Sequence, residues 1–360
     1  MMQMPRVMAA AAVLIVLYAA PGQCAPKKKP LLSVKLVFTT GYDDNILEYS
    51  ARDITRFRQY QESYTSPIST TDDWINSAGL RLYREFKLSR RFRFRPYYSG
   101  KVALYAVNPV KNTQTHNLQA RFSYRSLAYL TLKYLYIPKY FLRTYYDNDT
   151  HQYHRSDFTL TRYAVNLSLH RDPFRLETEA GRQYDYYNGY FTEWDLQSDF
   201  ISGTGTYSGV PNLEVSAGYS FKTADNIGFN QNSPQTAGNS NTNAEYGDGS
   251  YQEDEYAIGF NYRLPNLTWK MRWSANLDLQ RSYRYYQSHL PPLQDAFHVG
   301  RRDRRDTIEP ALSLSPTSDL DLRLSFTYDL RRTRTPDSHV AAIKNYVARA
   351  IELTIVYQVF

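Results

Sequence analysis

The chain has 360 residues, with 43 Lys and Arg against 35 Asp and Glu, a net charge of +8, and an aromatic fraction of 15%. Mean hydropathy is −0.58, and beyond the N-terminus there is no apolar run long enough to cross a bilayer, which excludes a bundle of transmembrane helices; the wealth of Tyr and Phe excludes a disordered chain. The single cysteine, Cys24, excludes a disulfide framework and a cysteine-based zinc site.

Residues 1–24 read as a cleaved export signal. Arg6 supplies the basic start, Val7 to Ala20 an apolar stretch too short to span, and Gly22, Cys24 and Ala25 the small residues of a cleavage region. Residues 25–30, Ala25-Pro26-Lys27-Lys28-Lys29-Pro30, form a basic tail. From 31 to 360 apolar and polar residues alternate with the period of a strand that has one apolar face. In chain order the expected strands cover 31–42, 74–88, 91–107, 115–126, 129–142, 155–170 and 173–187. They continue over 193–206, 212–224, 250–263, 266–286, 301–315, 319–331 and 344–360. The clearest is Leu320, Leu322, Leu324, Phe326, Tyr328 and Leu330, interleaved with Asp321, Arg323, Ser325, Thr327 and Asp329. Pro310 is expected to interrupt 301–315.

The connections alternate in length. Short turns at Ser89-Arg90, Leu127-Ala128, Arg171-Asp172, Tyr207 to Pro211, Leu264-Pro265 and Pro316 to Ser318 exchange with longer polar ones at 43–73, 108–114, 143–154, 188–192, 225–249, 287–300 and 332–343. An even number of long alternating strands, with both termini on the short-turn side, predicts an all-β protein. The expected architecture is a closed antiparallel transmembrane β-barrel of about 14 strands (about 12–16), with short periplasmic turns and long extracellular loops. A soluble sandwich has shorter strands and no such alternation of loop length. Tyr145-Tyr146, Tyr184, Tyr186-Tyr187, Tyr283 and Tyr285-Tyr286 fall at the expected outer strand ends, where a girdle of amphipathic rings belongs.

The export signal, this hairpin rhythm, the stretch Gly41-Tyr42-Asp43-Asp44-Asn45-Ile46 and the terminal Phe360 together resemble Gram-negative outer-membrane β-barrel proteins of the porin type. The resemblance spans the whole mature chain at the level of class. It implies residence in the outer membrane among lipid and lipopolysaccharide, and insertion by barrel-assembly machinery. The apolar frame at 351, 353, 355, 357 and 359 leaves Phe360 one residue out of phase with the assembly signal of such proteins.

With the apolar frame toward lipid, the other frame faces the lumen. One wall is then basic, with Arg81, Lys87, Arg91, Arg93, Arg95, Lys101, Arg121, Arg125 and Lys133 against Glu85. Another is acidic, with Glu177, Glu179, Asp185, Asp195, Asp199 and Glu214 against Arg175 and Lys222. Opposed walls set a transverse field across an aqueous pore, as charge-selective filters do. The expected function is therefore passive diffusion of small polar or anionic solutes. The alternative is a non-conducting barrel, structural, adhesive, or the exit component of a polysaccharide or protein export system, its lumen plugged by pairing between the walls. No Ser/His/acid spacing points to an enzyme. No cofactor is implied, and Asp43-Asp44-Asn45 and Asp147-Asn148-Asp149 lack full calcium-loop spacing. The run Arg91-Phe92-Arg93-Phe94-Arg95 divides its arginines and phenylalanines between two faces of a strand, which disfavours a nucleic-acid partner.

Overall fold

A computed structural model describes residues 32–59, 67–228, 247–265 and 271–359. The export signal at 1–24, the basic tail at 25–30, Phe360, much of the 225–249 loop and the start of the 266–286 strand lie outside the described residues. Among the described residues there are fifteen strands. They are β1 (Ser33–Asp43), β2 (Asp73–Tyr83), β3 (Phe86–Lys87), β4 (Phe92–Tyr105), β5 (Thr113–Tyr124), β6 (Ala128–Asp147), β7 (Gln152–Arg171) and β8 (Phe174–Tyr187). The rest are β9 (Leu196–Val210), β10 (Leu213–Asn226), β11 (Tyr251–Leu264), β12 (Arg272–Tyr286), β13 (Arg302–Ser315), β14 (Leu320–Arg334) and β15 (Tyr346–Gln358). β3 is a two-residue addition beside β4. The other fourteen close into one antiparallel barrel, since β2 pairs with β4 and β1 pairs with β15.

The register fixes which side chains share a face. Leu118, Leu132, Val165, Ile258, Leu324 and Ile351 all stand on the outward frame, and each is 46–49% exposed. Six large aliphatic side chains at mid-strand cannot be left to water on this scale, so this surface is the lipid-facing belt. No helix among the described residues is long and apolar enough to cross a membrane; the strands cross it. Adjacent tyrosines at the outer ends divide between the faces, because the side-chain period is two. Tyr186 is exposed outside and Tyr187 lines the inner mouth; Tyr285 likewise stands outside, its guanidinium neighbour being Arg302, while Tyr286 lines the mouth.

Strands β6 and β7 run 20 residues each and shrink the expected 143–154 loop to a tight turn. Their pairing shifts register between Ile137 and Tyr140 and again between Phe141 and Arg143. Pro138 sits at the first shift. It has no N–H to give the ladder, and a bulge is where a sheet tolerates that. Pro310, by contrast, does not break β13. Pairing with β14 lapses at Glu309 and Pro310 and resumes in the same register at Ala311 opposite Ser325.

Among the described residues, two short α-helices decorate the outer end. Helix α1 (Ala51–Arg58) lies in the 43–73 connection and is capped by Ser50, whose hydroxyl accepts the Asp53 N–H at 3.0 Å. Helix α2 (Ser338–Lys344) joins β14 to β15, with Asp337 accepting the His339 N–H at 2.7 Å. The buried apolar cluster of the molecule sits here too. Ile46, Leu47 and Tyr49 of the first connection pack with Ile68 and Phe141 against Ile75, Tyr105 and Val110, so this connection folds onto the inner side of the barrel end.

Candidate pore and outer mouth

The lumen is built by the inner frame of each strand. Arg81 on β2, Arg93, Arg95 and Lys101 on β4, Arg121 on β5 and Lys133 on β6 all stand on it. Next along the wall, β8, two places from β6, carries Glu177, Glu179 and Asp185 on the same inner frame, and β10 carries Glu214. Four expected wall residues are placed elsewhere. Asp199 faces outward, paired across the strands with Arg182, whose guanidinium meets its carboxylate at 2.6 and 2.8 Å. The register with β8 sets Ser198, Phe200 and Ser202 opposite Gln183, Gly181 and Glu179, so the even residues of β9 take the inner frame and the odd ones face outward. Asp195 precedes the strand and accepts the Tyr187 N–H at 2.7 Å. Arg91 lies in the turn before β4, and Arg125 takes a left-handed φ of 51° in the β5–β6 turn, donating its N–H to the Arg91 carbonyl. Lys87, on the short β3, lies opposite Arg93 and shares its inner frame, exposed at the periplasmic rim.

The same alternation gives inner-frame charges beyond those singled out from the sequence. Glu253 and Glu255 on β11 extend the acidic side, and β12 to β14 add Asp278, Arg284, Asp303, Arg305, Glu309, Arg323, Asp329 and Arg331. Reading the inner frame of the last five strands as closely as that of the first nine would have found them.

Among the described residues, ion pairs between strand residues join strands no more than two places apart. Lys133 meets Glu179 at 2.5 Å, Arg162 meets the same carboxylate at 3.1 Å, Arg284 meets Glu253 at 2.7 Å and Arg323 meets Glu309 at 2.8 Å. These pairs run along the wall. Meanwhile Lys101, Asp278, Gln280 and Glu352 point inward and are nonetheless exposed, which requires water-accessible space inside the barrel at their level.

At the outer end the first connection crosses the opening. Arg143 of β6 donates from Nη2 to the carbonyls of Leu47 and Glu48 at 2.9 and 2.8 Å, and the Glu48 carboxylate meets Arg305 of β13 at 3.3 Å. Asn45 adds a bond from Nδ2 to the Val347 carbonyl at 2.9 Å. To one side of this crossing lies a cavity of about 700 Å³. Tyr145, Tyr187, Trp194 and Tyr286 give it aromatic walls, Arg143 and Arg284 give it positive charge, and Lys344 lines it beside them. Rings and guanidinium groups interleave: Arg284 lies 4.0 Å from the Tyr251 centroid, Arg301 4.3 Å from Tyr286 and Arg143 4.5 Å from Tyr49. On α2, Lys344 has its amine pushed well below the ordinary lysine range by burial and by Arg301, Arg143 and Arg331, against the opposing pull of Asp303. Its Nζ lies 5.4 Å from the Phe297 ring. In the neighbouring 287–301 loop the buried His298 is held below the usual imidazole range by burial, although Asp295 receives its Nδ1 at 2.7 Å.

No group of three or more metal-ligating side chains occurs among the described residues. A closed barrel with an apolar outer belt, short turns at one end and long loops at the other is the architecture of an outer-membrane β-barrel protein. No family model matches the chain, and no curated protein matches it. Among solved structures the chain is similar to the outer membrane channel DcaP of Acinetobacter baumannii, at 10% identity over 93% of this chain and 100% of that one, with a TM-score of 0.45. It is similar also to OmpT of Vibrio cholerae (8% identity, 92% and 98% covered, TM-score 0.43) and to an anion-selective porin from Comamonas acidovorans (8%, 91% and 98%, 0.42).

Proposed function

We propose that this barrel is a passive channel through which small polar and anionic solutes cross the outer membrane. The observation that carries the reading is the exposure of inward-facing Lys101, Asp278, Gln280 and Glu352, together with ion pairs that run along the wall and leave the lumen unbridged. Preference for anions rests on the basic inner frame of β2 to β6 and on the cationic mouth around Arg143, Arg284 and Lys344. A solute entering from outside meets positive charge before it meets the acidic strands, and fixed charge of one sign concentrates its counter-ion. The pore-lining roles of Arg81, Arg93, Arg95, Lys101, Arg121 and Lys133, and of Glu177, Glu179, Asp185 and Glu214, belong to this proposal, as does cleavage of the export signal at 1–24.

One observation favours the second reading, a non-conducting or export barrel: the first connection crosses the mouth and is held on both sides. Planar-bilayer recording of the refolded mature chain separates the two. Stable conductance with a reversal potential on the anion side supports the channel; absence of conductance, in a preparation shown to be folded, gives precedence to the second reading.

A further inference from the structure

We propose that the outer end of β13 and β14, on the lipid-facing side, is a docking surface for the phosphate groups of an outer-leaflet lipid. Cross-strand pairing sets Arg302 opposite Arg334 and, one same-face step further, Arg304 opposite Arg332. All four stand on the frame that carries Ile308, Leu312, Leu324 and Phe326 lower down, which are 41–47% exposed as the lipid belt. Their sequence neighbours Asp303 and Thr333 point the other way and are buried. Like charges directly opposite one another destabilise a sheet, and here two such pairs are stacked. Arg281 of β12 adds a fifth outward guanidinium. The outward frame of β12 to β14 holds one carboxylate against these five, Asp306, clasped between Arg281 at 2.5 Å and Arg304 at 2.9 Å.

The height of the patch selects the partner. Outward Tyr283, Tyr285 and Tyr328 accompany it, the rings that collect where acyl chains give way to headgroups, and Arg302 lies 5.7 Å from the Tyr285 centroid. The patch is on the long-loop side, hence the outer leaflet. Guanidinium forks match the phosphate group bidentately, and an anionic surface attracts each such side chain. A phosphate-bearing lipid therefore relieves the repulsion that the barrel alone carries.

The test compares the parent with an R302Q/R304Q/R332Q/R334Q variant in phosphatidylcholine vesicles, with and without lipid A bearing its phosphates. The parent should unfold at a higher temperature with lipid A, and the variant should lose this gain and retain at least about tenfold less copurifying lipid A. In neutral detergent the variant should unfold at or above the parent's temperature, because the like-charge pairs are gone. An R302K/R304K/R332K/R334K variant should keep part of the gain. The proposal is overturned if dephosphorylated lipid A or inorganic phosphate alone gives the same gain. It is overturned equally if parent and variant respond alike, if the variant is destabilised in detergent as well, or if the patch proves to join two copies of the chain without lipid. Should the fourfold variant not fold, R302Q/R334Q is read against the same outcomes.

Discussion

Arg143 and Arg305 stand on strands seven places apart whichever way the barrel is counted, yet both bind Glu48. A single residue of the first connection is thus fixed to opposite walls, and that connection divides the outer opening.

Releasing this crossing should widen the path. Hydrogen bonds from a charged donor contribute about 1.5–3 kcal/mol each, so removing those of Arg143 is enough to shift the docked population more than about tenfold. R143Q, and more so R143Q/R305Q, should raise single-channel conductance. Unchanged conductance in both would mean that the crossing does not limit ion flow.

The selectivity of the lower lumen should follow its basic wall. R93E/R95E/R121E should move the reversal potential toward cations at low salt, and the difference should fade once the Debye length falls well below the roughly 10 Å it has at 0.1 M. A native barrel that is silent beside a conducting triple variant would instead identify these arginines as plugs.

The two frames should tolerate charge unequally. L324R puts a guanidinium on the lipid belt and should cost about 2–4 kcal/mol, while Q280R, on the inward and exposed side, should cost little. Urea titration of both variants in vesicles measures the contrast; equal costs would reverse the assignment of faces.

Lys344 should make the mouth sensitive to alkali. Its amine lies well below the usual lysine range through burial and the neighbouring Arg301, Arg143 and Arg331, so it loses its charge before exposed lysines do. Anion preference should fall as pH rises through that range, and K344Q should show a lower preference with that step removed. A step of the same size in K344Q would assign the titration to another group.

Lys111, between β4 and β5, is pushed down to about 8 by burial, against the pull of Glu48 and Asp43. The unfolded chain then binds the proton more tightly than the native one from about pH 8 to 10.5, so stability should rise with pH across that window, by at most about 3 kcal/mol. K111M should flatten the rise in thermal unfolding measured at stepped pH.

The barrel was legible because its sheet has two solvents. Leu320 to Leu330 alternate without fault, and such a strand admits one placement of its faces. Legibility failed where polar residues occupy the outward frame above the belt, as at Arg182 and Asp199, since their chemistry alone does not tell lumen from interface. It failed again for the grip on Glu48. Residues 48, 143 and 305 are distant in sequence and meet only through closure, so no local pattern announces them. The turn position of Arg125 was equally hidden, because its left-handed backbone belongs to a residue type that rarely adopts one.

The pairing of β1 with β15 brings Thr39 and Thr354 within 3.1 Å across 315 residues of chain. Contacts of that separation are slow to form, because a long loop must close before they return any energy. The first strand leaves the export machinery at the start of translocation and its partner only at the end. In the interval both edges of a growing sheet present unpaired backbone groups, the condition that invites pairing with other chains. The seam thus makes assembly a timed process in which the last 13 residues of ordered strand decide whether the polypeptide becomes a closed wall or a template for aggregation.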